Sequence, residues 1–365
     1  MSKNLPLAGL KIVEFQGIGP GPFCGMHFAD LGADVIVIER PHAMLPAAGG
    51  ITRRGKRSIV LDLKKSKDLE VAKNLIASAD GVFEGNRPGV MERLGLGPEE
   101  MQGLNPKLVY GRLTGWGQDG PLADYAGHDI NYAAITGALF YTGAAGEKPL
   151  PTPTLLADIA GGAHYLMIGM LSALLKAKET GQGDIIDAAM IDGLSHMMNL
   201  VLDIVPSGMM ALDKREVSLL DGPHWYNAYA TSDNHFVTLG PLEPQFYGEL
   251  LSLLDLDMDS DFLDQMNMTK WADQAEKLTA LFKTKTRDEW VEKLHFSNAC
   301  FAPVLTLSEA KDHPHMKARR IYDTSANLQQ AVAAPRFQSS GRQQPNAFPN
   351  PGQHSEDILK ELENE

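Results

Sequence analysis

The stretch LKIVEFQGIGPGPFCGMHFADLGADVIVIER (residues 10–40) sets the architecture. LKIVEF (10–15) has the continuous apolar character of a buried strand, and the glycine-rich turn GIGPGPFCG (17–25) leads into an apolar helix, MHFADLGA. ADVIVIER (33–40) then reads as a second strand. Strand, turn, helix, strand is a βαβ unit, which requires a parallel pair joined by a right-handed crossover. Outward from it, SIVLDLK (58–64), KDLEVAKNLIASAD (67–80), GVFEGN (81–86) and KLVYGRLTG (107–115) continue the alternation. The expected fold class is α/β, with an open, Rossmann-like sheet in a large domain.

From about 155 to 212 the chain turns helical and rich in Leu, Met and Ala, with a short strand expected in TGQGDIIDAAMIDG (180–193). HWYNAYATSDNHFVTLG (224–240) alternates like a β-hairpin with its turn at Asp233-Asn234. Amphipathic helices continue to about 295, which suits a small α+β domain. The tail from about 324 is rich in Pro, Gln, Ser and Ala; PNAFPNPGQHS (345–355) reads as an extended strap and EDILKELENE as a terminal helix. The expected division is a large domain over 1–190, completed by about 330–365, and a small domain over 224–310. Segments 191–223 and 311–329 are then the linker out and the linker back.

At 365 residues, 44% hydrophobic and 22% charged, the composition is that of a globular protein with two cores. A formal net charge of −13 argues against nucleic acid as partner, since phosphate backbones select basic surfaces. Cys24 and Cys300 are far apart, which points to a reducing compartment without a disulfide framework. Cys24 is either a reactive thiol or a small buried filler. The apolar run at about 159–175 is interrupted by Gly161, Gly162 and His164 and is shorter than the ~20 residues of a membrane span. With no leader pattern in MSKNLPLAG, the expected location is cytoplasmic, with no membrane partner.

The glycine turn does not make a dinucleotide site. Gly17, Gly19, Gly21 and Gly25 never form G-x-G-x-x-G, and Pro20 and Pro22 lack the N–H groups that would cradle a pyrophosphate. Glu39, at the end of the second strand, is placed as a ribose-binding acid would be, but without that turn it is not one. Close packing of helix on strand explains the glycines better. Arg40 comes after the second strand, Arg53, Arg54, Lys56 and Arg57 precede the third, and Arg87 and Arg93 come after the fourth. Arginine forks beyond the carboxyl ends of parallel strands suit a ligand with several phosphates, while a solvated basic edge would give the same spacing.

Two further stretches carry titratable residues at the front of helix-like runs: His128 in GHDINY (127–132) and Asp158 in LLADIAGG (155–162). Helix starts offer unpaired N–H groups and a positive dipole end. An imidazole and a carboxyl facing one cavity can remove and supply a proton, which is the chemistry of an epimerase. Taken singly, His128 is equally an ordinary histidine in a helical turn, Asp158 a plain N-cap and Glu243 in GPLEPQFYGEL an ordinary cap.

Together with LAGLKIVEFQGIGPGP, DLGADVIVIERP, NRPGVMERLGLGP, LTGWGQDGP, GQGDIIDAAMIDG and APRF, these segments resemble the class III (CaiB/BaiF) CoA-transferase family, and within it the α-methylacyl-CoA racemase branch. The resemblance implies that His128 and Asp158 are the two proton carriers and that Glu243, from the second subunit, orients the histidine. It implies CoA contacts at Arg40, at Leu61, Asp62, Leu63 and Lys64, and at Gly85, Asn86, Arg87, Pro88, Gly89 and Val90. Arg93 and the stretch Gly127, Asp129, Ile130, Asn131 and Tyr132 complete that set. It further implies a homodimer of interlocked rings, a place in fatty acid or lipid metabolism, and no redox or metal cofactor, coenzyme A entering as part of the substrate. The branch's reaction is two-base proton transfer through an enolate, whose oxygen is expected to meet backbone N–H groups at the Asp158 helix start. The family's transferases keep the aspartate, which attacks the thioester to form a mixed anhydride, but carry a bulky non-titrating residue at the position of His128. A CoA-ester-binding protein without turnover is the non-enzymatic alternative. DGPHWYNAY (221–229) is expected to bear on the acyl group, which the sequence leaves open among branched fatty acid, sterol side chain and smaller acid.

Overall fold

A computed structural model describes residues 5–41, 50–215, 217–219, 222–323, 329–341 and 348–364. Asp221 of the segment expected to bear on the acyl group, and parts of the tail (324–328, 342–347), lie outside the described residues. The opening βαβ unit is present as β1 (Lys11–Phe15), α1 (Pro20–Asp30) and β2 (Asp34–Glu39). β1 and β2 pair in parallel with Ile12 opposite Val35. Next come β3 (Arg57–Val60), α2 (Ser66–Ala77), β4 (Gly81–Glu84), α3 (Val90–Arg93), α4 (Pro98–Leu104), β5 (Val109–Thr114) and α5 (Asp129–Ile135). A π-helical segment, Leu156–Ala163, runs directly into α6 (His164–Thr180), and β6 (Ile185–Ala189) and α7 (Met190–Met197) close the series.

The six strands lie in the order β3-β2-β1-β4-β5-β6 with every neighbouring pair parallel. This is the Rossmann order, with its reversal point between β1 and β4. Alternation along β1 sends Ile12 into a core with Phe28, Leu166 and Met170, and Val13 into a core with Ile36, Ile76 and Ile358. Helices thus cover both faces, the condition under which parallel strands are apolar throughout. The terminal helix, Ser355–Asn364, closes the second face; its Glu361 receives two bonds of 2.8 Å from Arg57 of β3.

One expectation is corrected. Gly161, Gly162 and His164 do not interrupt the run: Leu156–Thr180 is continuous helix of 25 residues, and its most apolar 18-residue stretch has a mean hydropathy of 1.3, enough to cross a membrane by length and composition alone. Its glycines are contact points, since a Cβ on Gly161 would press on the backbone at Leu194 and Met190 of α7. The inner face, with Leu166, Met167 and Met170, belongs to the core against the sheet.

The chain divides into two compact units: Met1–Leu139, Pro151–Met198 and Lys317–Glu365 form the first, Phe140–Leu150 and Asn199–Met316 the second. The second contains α8 (Asn199–Ile204) and the hairpin β7 (Asn227–Ala230) and β8 (Phe236–Leu239), antiparallel as the alternation predicts. Asn234, with a φ of 60°, makes the turn. After α9 (Pro244–Leu253), α10 (Trp271–Phe282) and α11 (Arg287–Leu294) comes β9 (Phe301–Pro303), a third strand on β8 that the sequence pattern did not reveal. Residues 140–150, read from sequence as part of the large domain, group with this second unit. The Arg215 guanidinium gathers them, donating to the carbonyls of Thr142, Gly143, Ala144 and Glu147.

Candidate active site

The reversal point of the sheet opens into a cavity of about 920 Å³. Its walls are the carboxyl ends of the strands and the loops leading away from them: Phe15 to Gly21 after β1, Arg40 after β2, Gly85 to Pro88 after β4, and Thr114 to Trp116 after β5. Gly127, His128 and Tyr132 from the start of α5, and Thr154 and Asp158 from the π-helical segment and its approach, also line it. The imidazole and the carboxyl singled out from sequence therefore open into one cavity.

His128 is the N-cap of α5, with extended backbone at φ −137°. Its N–H donates to Oδ1 of Asn131 at 3.1 Å, and its carbonyl accepts from the Asn131 N–H at 2.8 Å. The Asn131 side chain is thus occupied in fixing the histidine backbone. Tyr132 donates to the Gly127 carbonyl, and its ring stands edge-on to Trp116 with centroids 4.7 Å apart. A Cβ on Gly115 or Gly127 would collide with that tyrosine, so both glycines are steric requirements of the wall.

Asp158 sits in the first turn of the π-helical segment, beside Gly19. A Cβ on Gly19 would stand 3.0 Å from Asp158 Oδ2, and its φ of 69° suits glycine, so this turn residue leaves room for the carboxyl. Burial, then the charge of Asp129, push the Asp158 carboxyl up to about 6, while His128 pulls it down. Tyr132 is pushed up to about 12 by burial and by Asp158.

The expected oxyanion donors are corrected. The N–H groups of Ala157 and Asp158 both donate to Oδ1 of Asp129, each at 2.8 Å, and are not open to a substrate oxygen. The Asp129 carboxylate, predicted among the CoA contacts, is itself buried and turned to these groups.

The basic residues separate into two sets. Arg53 makes a paired contact with Glu39, and Arg54 with Asp30 at 3.0 and 2.5 Å. Lys56 is buried against Glu14, and Arg57 binds Asp34 at 2.9 and 2.6 Å. All four are engaged by carboxylates of the fold, so the polyphosphate reading does not extend to them. Burial pushes Glu14 up and Lys56 down, each opposed by the other's charge. Gly25, expected in the turn, lies inside α1, which already begins at Pro20; a Cβ there would strike both groups, so this helix glycine admits the ion pair beneath α1. Cys24 beside them is buried and its thiol pushed up by burial, which makes it the filler and not the reactive thiol.

Arg40, Arg87 and Arg93, in contrast, are exposed and have no carboxylate partner among the described residues. Arg40 donates to Asn86 Oδ1 at 3.2 Å, and its N–H to Gln16 Oε1 at 3.0 Å. Arg40 and Arg87 line the cavity, as do Gly85, Asn86 and Pro88. The loop is braced from below: Glu84 accepts the Asn86 N–H at 2.6 Å, and Arg112 bridges Glu84 and Glu92. Gly89 caps α3 with a φ of 76°, Val90 begins that helix and Arg93 closes it. Leu61 is buried in the core, while Asp62, Leu63 and Lys64 form the turn before α2, where Asp62 Oδ1 accepts the Lys64 N–H at 3.2 Å. These last residues, with Gly89, Val90, Arg93, Ile130 and Asn131, are outside the cavity lining. Glu243 belongs to the second unit, as the N-cap of α9, with its carboxyl exposed and making no cap bond.

Gln16, Trp116 and Thr154 were not picked out from sequence. Gln16 had a usable signal, its place one residue past β1 in a parallel sheet. Thr154 had none: its φ of 46°, unusual for a β-branched residue, is visible only in the fold.

Residues 7–355 match the sequence pattern of CoA-transferase family III. The chain belongs to that family. Among family III members it is 37% identical to the α-methylacyl-CoA racemase of Mus musculus, over 97% of this chain and 93% of the relative. It is likewise 37% identical to the α-methylacyl-CoA racemase of Homo sapiens, over 98% of this chain and 94% of the relative. The succinyl-CoA–L-malate CoA-transferase beta subunit of Chloroflexus aurantiacus is 29% identical over 98% of this chain and 94% of its own length. Among solved structures, a CaiB/BaiF family protein from Brucella suis superposes with a TM-score of 0.83 at 28% identity, covering 98% of this chain and all (100%) of that one.

Proposed function

We propose that this family III protein is a racemase of 2-methylacyl-CoA thioesters, working by two-base proton transfer through an enolate. The observation that carries the reading is that His128 and Asp158 line one cavity, with the carboxyl raised toward neutrality. Racemisation needs each group as base in one direction and acid in the other. From one enantiomer neutral His128 removes the α-proton while protonated Asp158 supplies one to the opposite face; from the other, the carboxylate removes it and the imidazolium delivers. A carboxyl titrating at about 6 holds both states within reach near neutral pH, where an ordinary carboxyl would be almost wholly ionised. The enolate oxygen needs donors other than the Ala157 and Asp158 N–H groups, which Asp129 holds. Arg40 and Arg87, exposed on the cavity wall and without a carboxylate partner among the described residues, offer charge for the phosphates of coenzyme A.

The same reading makes the working unit an interlocked homodimer, with Glu243 of one copy beside the histidine of the other; it rests on the family resemblance. Mixed dimers of His128→Ala and Glu243→Ala subunits, each inactive alone, should regain activity; mixtures that stay inactive would remove Glu243 from the partner's site.

The reading against it is CoA transfer between carboxylic acids, which the family also contains and for which Asp158 would be the nucleophile. A chiral 2-methylacyl-CoA incubated in deuterated water without an acceptor acid separates the two. Racemisation gives α-deuterium with loss of chirality. Retained chirality, with an anhydride at Asp158 trapped by hydroxylamine, would put the transferase in its place.

A further inference from the structure

One side chain ties together the two helix starts that carry the proposed proton carriers. Asp129, next in sequence to His128, sends its buried carboxylate across to the π-helical segment, where one oxygen accepts the N–H groups of both Ala157 and Asp158 at 2.8 Å. That segment has no cap of its own, because Leu155 stands at its N-cap and offers no side-chain oxygen. Helix starts leave several N–H groups without partners, and burying them unpaired is costly. Asp129 is therefore a cap supplied from another helix, 28 and 29 residues away in sequence.

We infer that Asp129 is a positioning residue for the reaction: its carboxylate fixes the first turn that bears Asp158 relative to His128, and so sets the spacing of the two proton carriers. The inference rests on the racemase reading and deepens it. Asp129 touches no substrate in this role. The same carboxylate also acts through its charge, disfavouring ionisation of Asp158. His128 and Asp129, at the start of α5, are the charged groups that bear on the Asp158 carboxyl. The start of α1 presents Gly19 to it, α5 also presents the Tyr132 phenol, and α6, α7 and the sheet add no charge there.

Two variants separate tether from charge. Asp129→Asn keeps an acceptor oxygen for both N–H groups and removes the charge; Asp129→Ala removes both. The measurements are α-proton exchange from each enantiomer in deuterated water across pH, and the ¹³C titration of the Asp158 carboxyl, which needs no turnover. Asp129→Ala should lose about 100-fold in kcat from both enantiomers, with KM little changed, as misplacement of a reacting group does. Asp129→Asn should recover most of that loss, while the acid limb of its pH profile and the Asp158 titration both move below about 6. Wild-type turnover in Asp129→Ala, or an Asp158 titration unmoved in Asp129→Asn, would overturn the assignment. Absence of exchange in the wild-type protein would instead end the racemase reading, and the carboxyl titration would still decide whether Asp129 governs Asp158.

Discussion

Two clusters of charge lie in the first unit, and they are built in opposite ways. Under α1, Glu14 with Lys56, Asp30 with Arg54, and Glu39 with Arg53 are closed pairs in which every charge meets its opposite. Around the cavity, Arg40 and Arg87 are exposed without a carboxylate partner among the described residues, and Asp158 is raised by burial and then by a second aspartate nearby. Both clusters look alike as text, since a run of basic residues is basic in either place. Paired and buried charges hold elements together; unpaired ones, held open by neighbouring glycines and caps, remain available to a ligand or a proton.

The comparison breaks first at the open cluster. His128→Ala and Asp158→Ala should each abolish α-proton abstraction from one enantiomer, and from opposite ones, by on the order of 10³-fold. Single-turnover exchange in deuterated water measures this, and wild-type exchange from both enantiomers in both variants would sink the assignment. The closed cluster should answer in stability. Lys56→Met leaves Glu14 buried and unpaired and should cost about 3–5 kcal/mol in denaturant unfolding, most of it recovered by adding Glu14→Leu. A loss in Lys56→Met below about 1 kcal/mol would show that this pair does not hold α1 to the sheet.

Smaller effects sharpen the contrast. Arg87→Ala should raise KM for acyl-CoA about tenfold with kcat and melting temperature retained, the value of one charge-assisted phosphate contact. A fall in kcat at constant KM would place Arg87 in the chemistry instead. Asp158→Asn should stabilise the fold at pH 8 by about 1 kcal/mol, after allowance for its partial exposure. The sign comes from the raised carboxyl: the folded state holds that proton more tightly than the unfolded one, so its favourable contribution is present at low pH. It is lost as pH rises from about 4 through about 6. The gain should therefore vanish near pH 4, and a gain independent of pH would assign it to packing.

Much of this was legible in the chain. The apolar strands and the turn between them dictate a parallel sheet, because β1 and β2 can be apolar on both faces only when both faces are covered. His128 and Asp158 were legible as titratable residues at helix starts. Asp129 was not legible in its role. Beside His128 it reads as one more acid in a helix's first turn, and nothing in sequence says that its oxygen caps a helix 28 residues on.

Local sequence thus determined most of the elements and the parallel character of the sheet, since periodicity, caps and turn residues act over a few positions, while β9 and the strand order came from the fold. Only the tertiary structure decided which charges are paired and which are open, and that Gly19 makes room for the Asp158 carboxyl. The reason is that pairing and burial depend on approaches between segments far apart in the chain, and these fix the free energy of a charge more strongly than its neighbours in sequence do.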